Sequence, residues 1–316
     1  MVSPTPYGTC ADLEALAEVC HRRGKPLIVD EAWGAHLPLP TWAMDAGADV
    51  CVVSVHKMGS GFEQGSVFHT QGDLVDPAHL SACADLLMTT SPNVIVYAGI
   101  DGWRRQMVEH GHRLLSDALA LTADVRRRLG AIDGLRVLHD ELVAEEASHD
   151  LDPMHVLMDL AELGISGYQA ADWLREHCLI DVGLSDHRRV EATMSMADDE
   201  ASADRLVDAM TRLVAAAPGL HRPKPVRLPS PQQFEPEPVI LPRDAFFGPA
   251  EQVPAAKVVG RVSAEQLTPY PPGIPAVVPG ERISAEIVDY LRSGLAAGMV
   301  VPDATDAKLD TFRVVA

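Results

Sequence analysis

Two short, almost wholly apolar runs constrain this chain most: Pro26-Leu-Ile-Val-Asp30 and Asp49-Val-Cys-Val-Val-Ser-Val55. Each is too short for a stable helix, and neither alternates with polar residues. That pattern fits strands covered on both faces, the condition of a parallel sheet flanked by helices. Between Ala11 and Arg23, Leu13, Leu16, Ala17 and Cys20 fall on one helical stripe, capped near Thr9 or Asp12 and ended by Gly24. Helices alternating with short strands predict βαβ units and an α/β fold, with Gly65-Ser-Val-Phe-His69 as a third strand. In such sheets ligands gather at the carboxyl ends of the strands. Asp30 and the segment Ser54–Lys57 both fall at that edge.

Farther along, Leu114, Leu115, Ala118, Leu119, Leu121, Val125 and Leu129 predict a long amphipathic helix from Trp103 to Leu129. A smaller α+β domain should follow, with strands at His155–Leu160 and Val190–Met196 and helices at Tyr168–His177 and Ala201–Ala216. Asp198-Asp-Glu200 reads as the charged cap of the last of these. Proline is dense and periodicity lost between Pro218 and Pro242, which marks a linker. A third unit then combines Asp244–Gly260, the turn-rich Thr268–Pro275 and a helix from Ser284 to Ala297.

The net charge of −19, from 26 basic and 45 acidic residues, disfavours nucleic acid and anionic membrane as partners. No run of 18 apolar residues occurs. The five cysteines, Cys10, Cys20, Cys51, Cys83 and Cys178, form no CxxC pair, which argues against disulfides and a zinc knuckle and suits the cytoplasm. His110 and His112 stand two apart on a helix and do not share a face, so no metal site is expected. The opening Met1-Val-Ser-Pro-Thr-Pro-Tyr-Gly8 reads as a strand end entering a turn, and residues are expected to precede it.

Asp30 and Lys57 form a chemically informative pair. Pyridoxal phosphate requires a lysine amine that bonds it covalently and a carboxylate that keeps its ring nitrogen protonated. Each residue also has a plainer role, Asp30 as a helix cap and Lys57 as a solvated lysine. In the run Ser54-Val-His-Lys57, Ser54 can hold lysine or phosphate through its hydroxyl and His56 can contact the cofactor. Gly59 and Gly61 permit close backbone approach.

The motifs Asp-Glu-Ala-Trp-Gly-Ala-His at 30–36, Ser-Val-His-Lys at 54–57, Gln64-Gly-Ser-Val67 and Thr89-Thr-Ser-Pro92 resemble the bacterial ornithine/lysine/arginine decarboxylases, which are fold-type-I pyridoxal-phosphate enzymes. Tyr270-Pro-Pro-Gly-Ile-Pro275 and Pro279-Gly-Glu281 resemble that family's C-terminal signature. The resemblance implies Lys57 as the cofactor lysine, Asp30 at the ring nitrogen, Ala32 against a ring face, and Trp33 and His56 lining the site. It implies Ser54 supporting phosphate or lysine, Thr89 reaching the phosphate of a neighbouring subunit, and Glu281 facing the substrate's distal cation. A helix cap at Thr89 and a turn carboxylate at Glu281 are the local alternatives. His36 matches the motif but reads more simply as a hydrogen-bonded structural residue.

The implied architecture is the C-terminal part of a fold-type-I large domain at 1–105, with a mostly parallel sheet and flanking helices. A small α+β domain at 106–217, a linker at 218–243 and a C-terminal α+β unit at 244–316 follow. The implied reaction is decarboxylation of arginine, lysine or ornithine to the amine and CO2, as in polyamine formation, by a homodimer or higher homo-oligomer with shared sites. The family's phosphate-binding loop and ring-stacking aromatic precede the residue matching Val2. A truncated, non-catalytic homologue that modulates a full-length decarboxylase is therefore the alternative. Another fold-type-I activity, aminotransferase or desulfurase, fits the C-terminal segment poorly.

Overall fold

A computed structural model of the chain describes residues 1–36, 42–270 and 273–316. Pro271 and Pro272 of the C-terminal signature lie outside the described residues.

A short strand, β1 (Thr9–Cys10), leads into α1 (Leu13–His21). Asp12 caps α1 by accepting the Ala15 N–H at 2.9 Å, and Gly24 follows its end at φ 61°, a backbone glycine adopts without penalty. The two apolar runs become β2 (Ile28–Asp30) and β3 (Val50–Ser54), and the third becomes β4 (Ser66–Thr70). They form one sheet in the order β2-β3-β4. β2 and β3 are parallel with Asp30 opposite Val52, and Val2 bridges to Asp30 in the same sense. β3 and β4 are antiparallel with Ser54 opposite Ser66. The expected parallel arrangement thus holds for two strands and not for the third. Residues 55–65 form a tight turn rather than a crossover helix, so the chain can only reverse direction. β3 is covered on both faces as expected, whereas in β2 only Val29 is buried and Ile28 is 54% exposed. Among the described residues nothing covers that outer face.

The next helix, α2 (Pro77–Leu87), has Asp76 as its cap and no buried residue. It precedes α3 (Val94–Gly130), which begins nine residues before the expected start. At 37 residues α3 is about 55 Å long. Its buried positions, Leu115, Ala118, Thr122, Val125 and Leu129, recur at three- and four-residue steps along one stripe. Toward its start, Val94, Ile95 and Tyr97 are exposed. That apolar stretch carries no amphipathic stripe to signal a helix, and the pattern that does so starts only farther along.

Three short elements follow, β5 (Arg136–Leu138), α4 (Asp140–Ala144) and β6 (Asp150–Leu151), the last paired antiparallel with β1. Next come β7 (His155–Asp159), buried at every position, and α5 (Gly167–Cys178). Ser166 and Gln169 close a capping box on α5. Gly167 there tolerates no side chain, because a Cβ would sit 1.8 Å from the Arg189 carbonyl oxygen. With β8 (Leu184–Ser185) and β9 (Arg189–Thr193), β5 and β7 complete a sheet in the order β5-β7-β9-β8. α6 (Glu200–Ala216) starts behind Asp199, whose carboxylate accepts the Ser202 N–H. The C-terminal part contains α7 (Pro242–Phe247), β10 (Ala250–Pro254), α8 (Ala285–Ala297) and β11 (Thr311–Val315), with β10 and β11 antiparallel.

The described chain divides into two compact units. One comprises 1–128, 137–157 and 193–205; the other comprises 129–136, 158–192 and 206–316. The second has a core in which Leu267, Ile283, Ile287, Leu291, Leu309 and Phe312 are fully buried. Among the described residues no helix is long and apolar enough to cross a membrane.

Phe312 is fully buried in that core, while Phe247 is 79% exposed. Phe312→Ala is therefore expected to lower stability in urea unfolding by about 3–5 kcal/mol. Phe247→Ala should change it by less than about 0.5 kcal/mol. Equal losses would show that the core does not hold the unit together.

Candidate active site

The parallel register sets the site. With Asp30 opposite Val52, β2 and β3 end at one edge of the sheet, and each is followed by a turn. After β2, the Asp30 carboxylate accepts the Ala32 N–H at 3.0 Å, and Ala32 and Trp33 stand half-buried at the edge. After β3, the Lys57 N–H donates to the Ser54 carbonyl at 3.2 Å and the Gly61 N–H to that of Val55 at 3.0 Å. A Cβ on Gly59 would come within 2.7 Å of the Val55 oxygen, so the turn closes only around glycine. Ser54 is buried at the strand end.

Lys57 is exposed, and its Nζ lies 4.7 Å from the centre of the Trp33 ring. An ammonium is attracted to an indole face at that distance. His56 turns the other way. Its backbone N–H and Nδ1 both donate to the Gly65 carbonyl, at 3.2 and 2.9 Å, and Nε2 lies 3.5 Å from the Glu63 carboxylate. Because a carbonyl only accepts, Nδ1 carries a proton and Nε2 is the ring atom left to exchange one.

Beneath this edge lie buried charges with no signature in the sequence. Glu31 follows Asp30 but points inward and is fully buried. Its Oε1 accepts the Ala43 N–H at 3.0 Å, the Cys51 thiol is its other polar neighbour, and no hydrogen bond of ordinary geometry reaches Oε2. Burial pushes the Glu31 carboxyl up to about 7, against the opposing pull of the Ala43 N–H and the thiol. Burial and the Glu31 charge push the Cys51 thiol up to about 12. Nearby, His36 donates from Nε2 to the wholly buried Asp152, 2.9 Å from Oδ2 and 3.0 Å from Oδ1. The structural reading of His36 therefore has a named partner, which a sequence separation of 116 concealed.

The two remaining candidates make local bonds. Thr89 is exposed between α2 and α3, where its Oγ1 accepts the Ser91 N–H at 3.1 Å. Glu281, in the second unit, accepts the Val278 N–H at 2.8 Å and closes a turn.

The α/β sheet with flanking helices is part of a fold-type-I architecture, as its structural likeness shows. The chain superposes over its full length on the lysine decarboxylase LdcF of Francisella novicida, with a TM-score of 0.78 at 21% identity, covering 57% of that chain. The family model of the Orn/Lys/Arg decarboxylase major domain matches residues 1–202, and that of the C-terminal domain matches 230–302. The chain belongs to the Orn/Lys/Arg decarboxylase family. It is 36% identical over 320 residues to an arginine decarboxylase of Halalkalibacterium halodurans and 34% identical over 322 residues to one of Bacillus subtilis. All of this chain aligns in both cases, and it spans 65% of the length of each relative.

The Glu31 carboxyl stays protonated in the fold across a range where the unfolded chain has lost that proton. Stability therefore falls as pH rises from about 4.5 to about 7 and then levels off, a loss of roughly 3 kcal/mol for a shift of this size. Glu31→Gln should remove that loss. Its Tm is expected to exceed that of the unaltered protein at pH 8 by clearly more than at pH 5, and equal gaps at the two pH values would refute the buried-acid assignment.

Proposed function

We propose that this protein acts in the pyridoxal-phosphate-dependent decarboxylation of a basic amino acid, giving the corresponding amine, a polyamine precursor, and CO2. The observation that carries this reading is the Lys57 amine standing over Trp33 at the same sheet edge as Asp30. The donor set suits the cofactor: an accessible amine, a carboxylate at the neighbouring strand end, and the small side chain of Ala32 between that carboxylate and Trp33. When bound, pyridoxal phosphate supplies a sink for the electron pair left when the α-carboxylate departs.

In this reading Lys57 holds the cofactor covalently and Asp30 pairs with its ring nitrogen. Ala32 packs against a ring face, Ser54 supports phosphate or lysine, and Thr89 reaches a neighbouring subunit's phosphate. Trp33 keeps the amine in place, and His56 Nε2 is the ring atom available to pass a proton. Glu281 offers a carboxylate for a distal cation. Relatives aligned along the whole chain are arginine decarboxylases, which favours arginine over lysine and ornithine. A homodimer sharing its sites is supported by the exposed apolar residues Leu86, Leu87, Val94 and Ile95. The absence of a membrane-length helix among the described residues and the scattered free cysteines are compatible with a cytoplasmic enzyme. We assign 1–105 to the cofactor domain, 106–217 to a small α+β domain, 218–243 to a linker and 244–316 to the C-terminal unit.

Borohydride reduction with pyridoxal phosphate, followed by peptide mass spectrometry, is expected to place the label on Lys57. Lys57→Ala should lose that label and reduce CO2 release from arginine to the uncatalysed background. Label spread evenly over surface lysines would instead favour a non-catalytic partner of a longer decarboxylase.

A further inference from the structure

The first unit contains a buried cluster of one carboxylate and two imidazoles that the proposed reaction does not use. The Asp152 carboxylate is fully enclosed; its Oδ1 accepts from His36 Nε2 at 3.0 Å and from the Met154 N–H at 2.9 Å, while its Oδ2 lies 2.9 Å from His36 Nε2 and 3.5 Å from His155 Nε2. Burial alone would push this carboxyl up, but the His36 hydrogen bond, the two imidazoles and the Met154 N–H hold it below the usual carboxylate range. A carboxylate held by imidazoles at such depth is a poor way to stabilise a fold compared with apolar packing, and the best-attested use of such a buried polar group is to impose one arrangement. The arrangement imposed here is that of the His155 ring. Asp152 meets its Nε2, and the Gly8 backbone lies so close that a Cβ there would come 2.8 Å from the His155 Cβ. Arg126 donates to the Pro153 and His155 carbonyls behind it.

That fixed ring meets the indole of Trp33 edge-on, with centroids 5.9 Å apart and planes at 67°. The same indole lies under the Lys57 amine at 4.7 Å. A contiguous path therefore runs from a buried carboxylate through one imidazole and one indole to the amine at the surface. We propose that His36, Asp152 and His155 are positioning residues that set the tilt of Trp33 and thereby the place of the Lys57 amine. The purpose of this device rests on the reading of Lys57 as the reacting amine; the placement of Trp33 can be tested without any cofactor.

The full chain labelled with 5-fluorotryptophan carries four tryptophans, and the 19F resonance of Trp33 is identified by its loss in Trp33→Phe. Asp152→Asn and His36→Ala are expected to move the Trp33 resonance by more than its linewidth and leave that of Trp173, in the second unit, in place. His36→Gln keeps an N–H donor near the position of Nε2 and should restore the Trp33 resonance. A Trp33 resonance unmoved in Asp152→Asn, or moved alike by His36→Gln and His36→Ala, overturns the proposal. Should Asp152→Asn unfold, the two His36 variants decide alone, since both leave the carboxylate in place.

A second readout is reductive labelling of Lys57 by pyridoxal phosphate, expected to slow about tenfold in Asp152→Asn. The double variant Asp152→Asn/Trp33→Ala should be no slower than Trp33→Ala alone, because one path carries both effects. Multiplied effects would mean that Asp152 acts independently of Trp33 and would overturn the proposal. Absence of label on unaltered Lys57 would sink the cofactor reading while leaving the 19F comparison intact.

Discussion

A three-residue parallel ladder between β2 and β3 governs the candidate site. Asp30 sits opposite Val52, so the two strand ends coincide, and the turns after them bring Trp33 and Lys57 together although 24 residues separate them. Side chains alternate along a strand, so a slip of one residue would turn Asp30 inward and Glu31 outward. The ladder is held by β3, whose covered faces tie it to the interior, and by the reversal into β4 that pairs Ser54 with Ser66. Glycine at 59 then lets the lysine turn fold back against the Val55 carbonyl.

The first unit holds two buried carboxylates with opposite fates. Asp152 has a histidine donor and stays ionised; Glu31 has one backbone N–H and a thiol, and its proton affinity rises. The contrast follows from partner supply, because burial penalises the charged form of both and only Asp152 has an imidazole to answer it. The buried charges thus divide the labour: one is set to remain an anion, the other to remain an acid.

Much of this was legible in the chain. The parallel pair followed from two unbroken apolar runs, and Asp30, Ser54 and Lys57 came to one edge because strand ends in such a pair must. α5 and α6 lie within a residue or two of their expected bounds, marked by Ser166 and Asp199. The antiparallel β4 was not legible as such, since periodicity records exposure and not direction. Nor was the pairing of His36 with Asp152, which depends on a tertiary approach that no local spacing encodes. Glu31 was hidden for a different reason: next to a candidate catalytic aspartate, an acidic residue reads as one more exposed charge, and only the pleat turns it inward. The early start of α3 escaped because its first turns carry apolar residues that face solvent.

Those first turns of α3, together with α2, also shape the behaviour of the molecule in bulk. Leu87 is 88% exposed, and Leu86, Val94 and Ile95 are exposed nearby, on a chain whose net charge is −19. At low salt the shared negative charge keeps copies apart across a Debye length of about 8 Å or more; at 1 M salt that length shrinks to about 3 Å. The same salt, when strongly hydrated, strengthens the attraction between apolar faces. Colloidal repulsion and apolar adhesion are thus set against each other on one surface, with ionic strength deciding which of them a crowded solution feels.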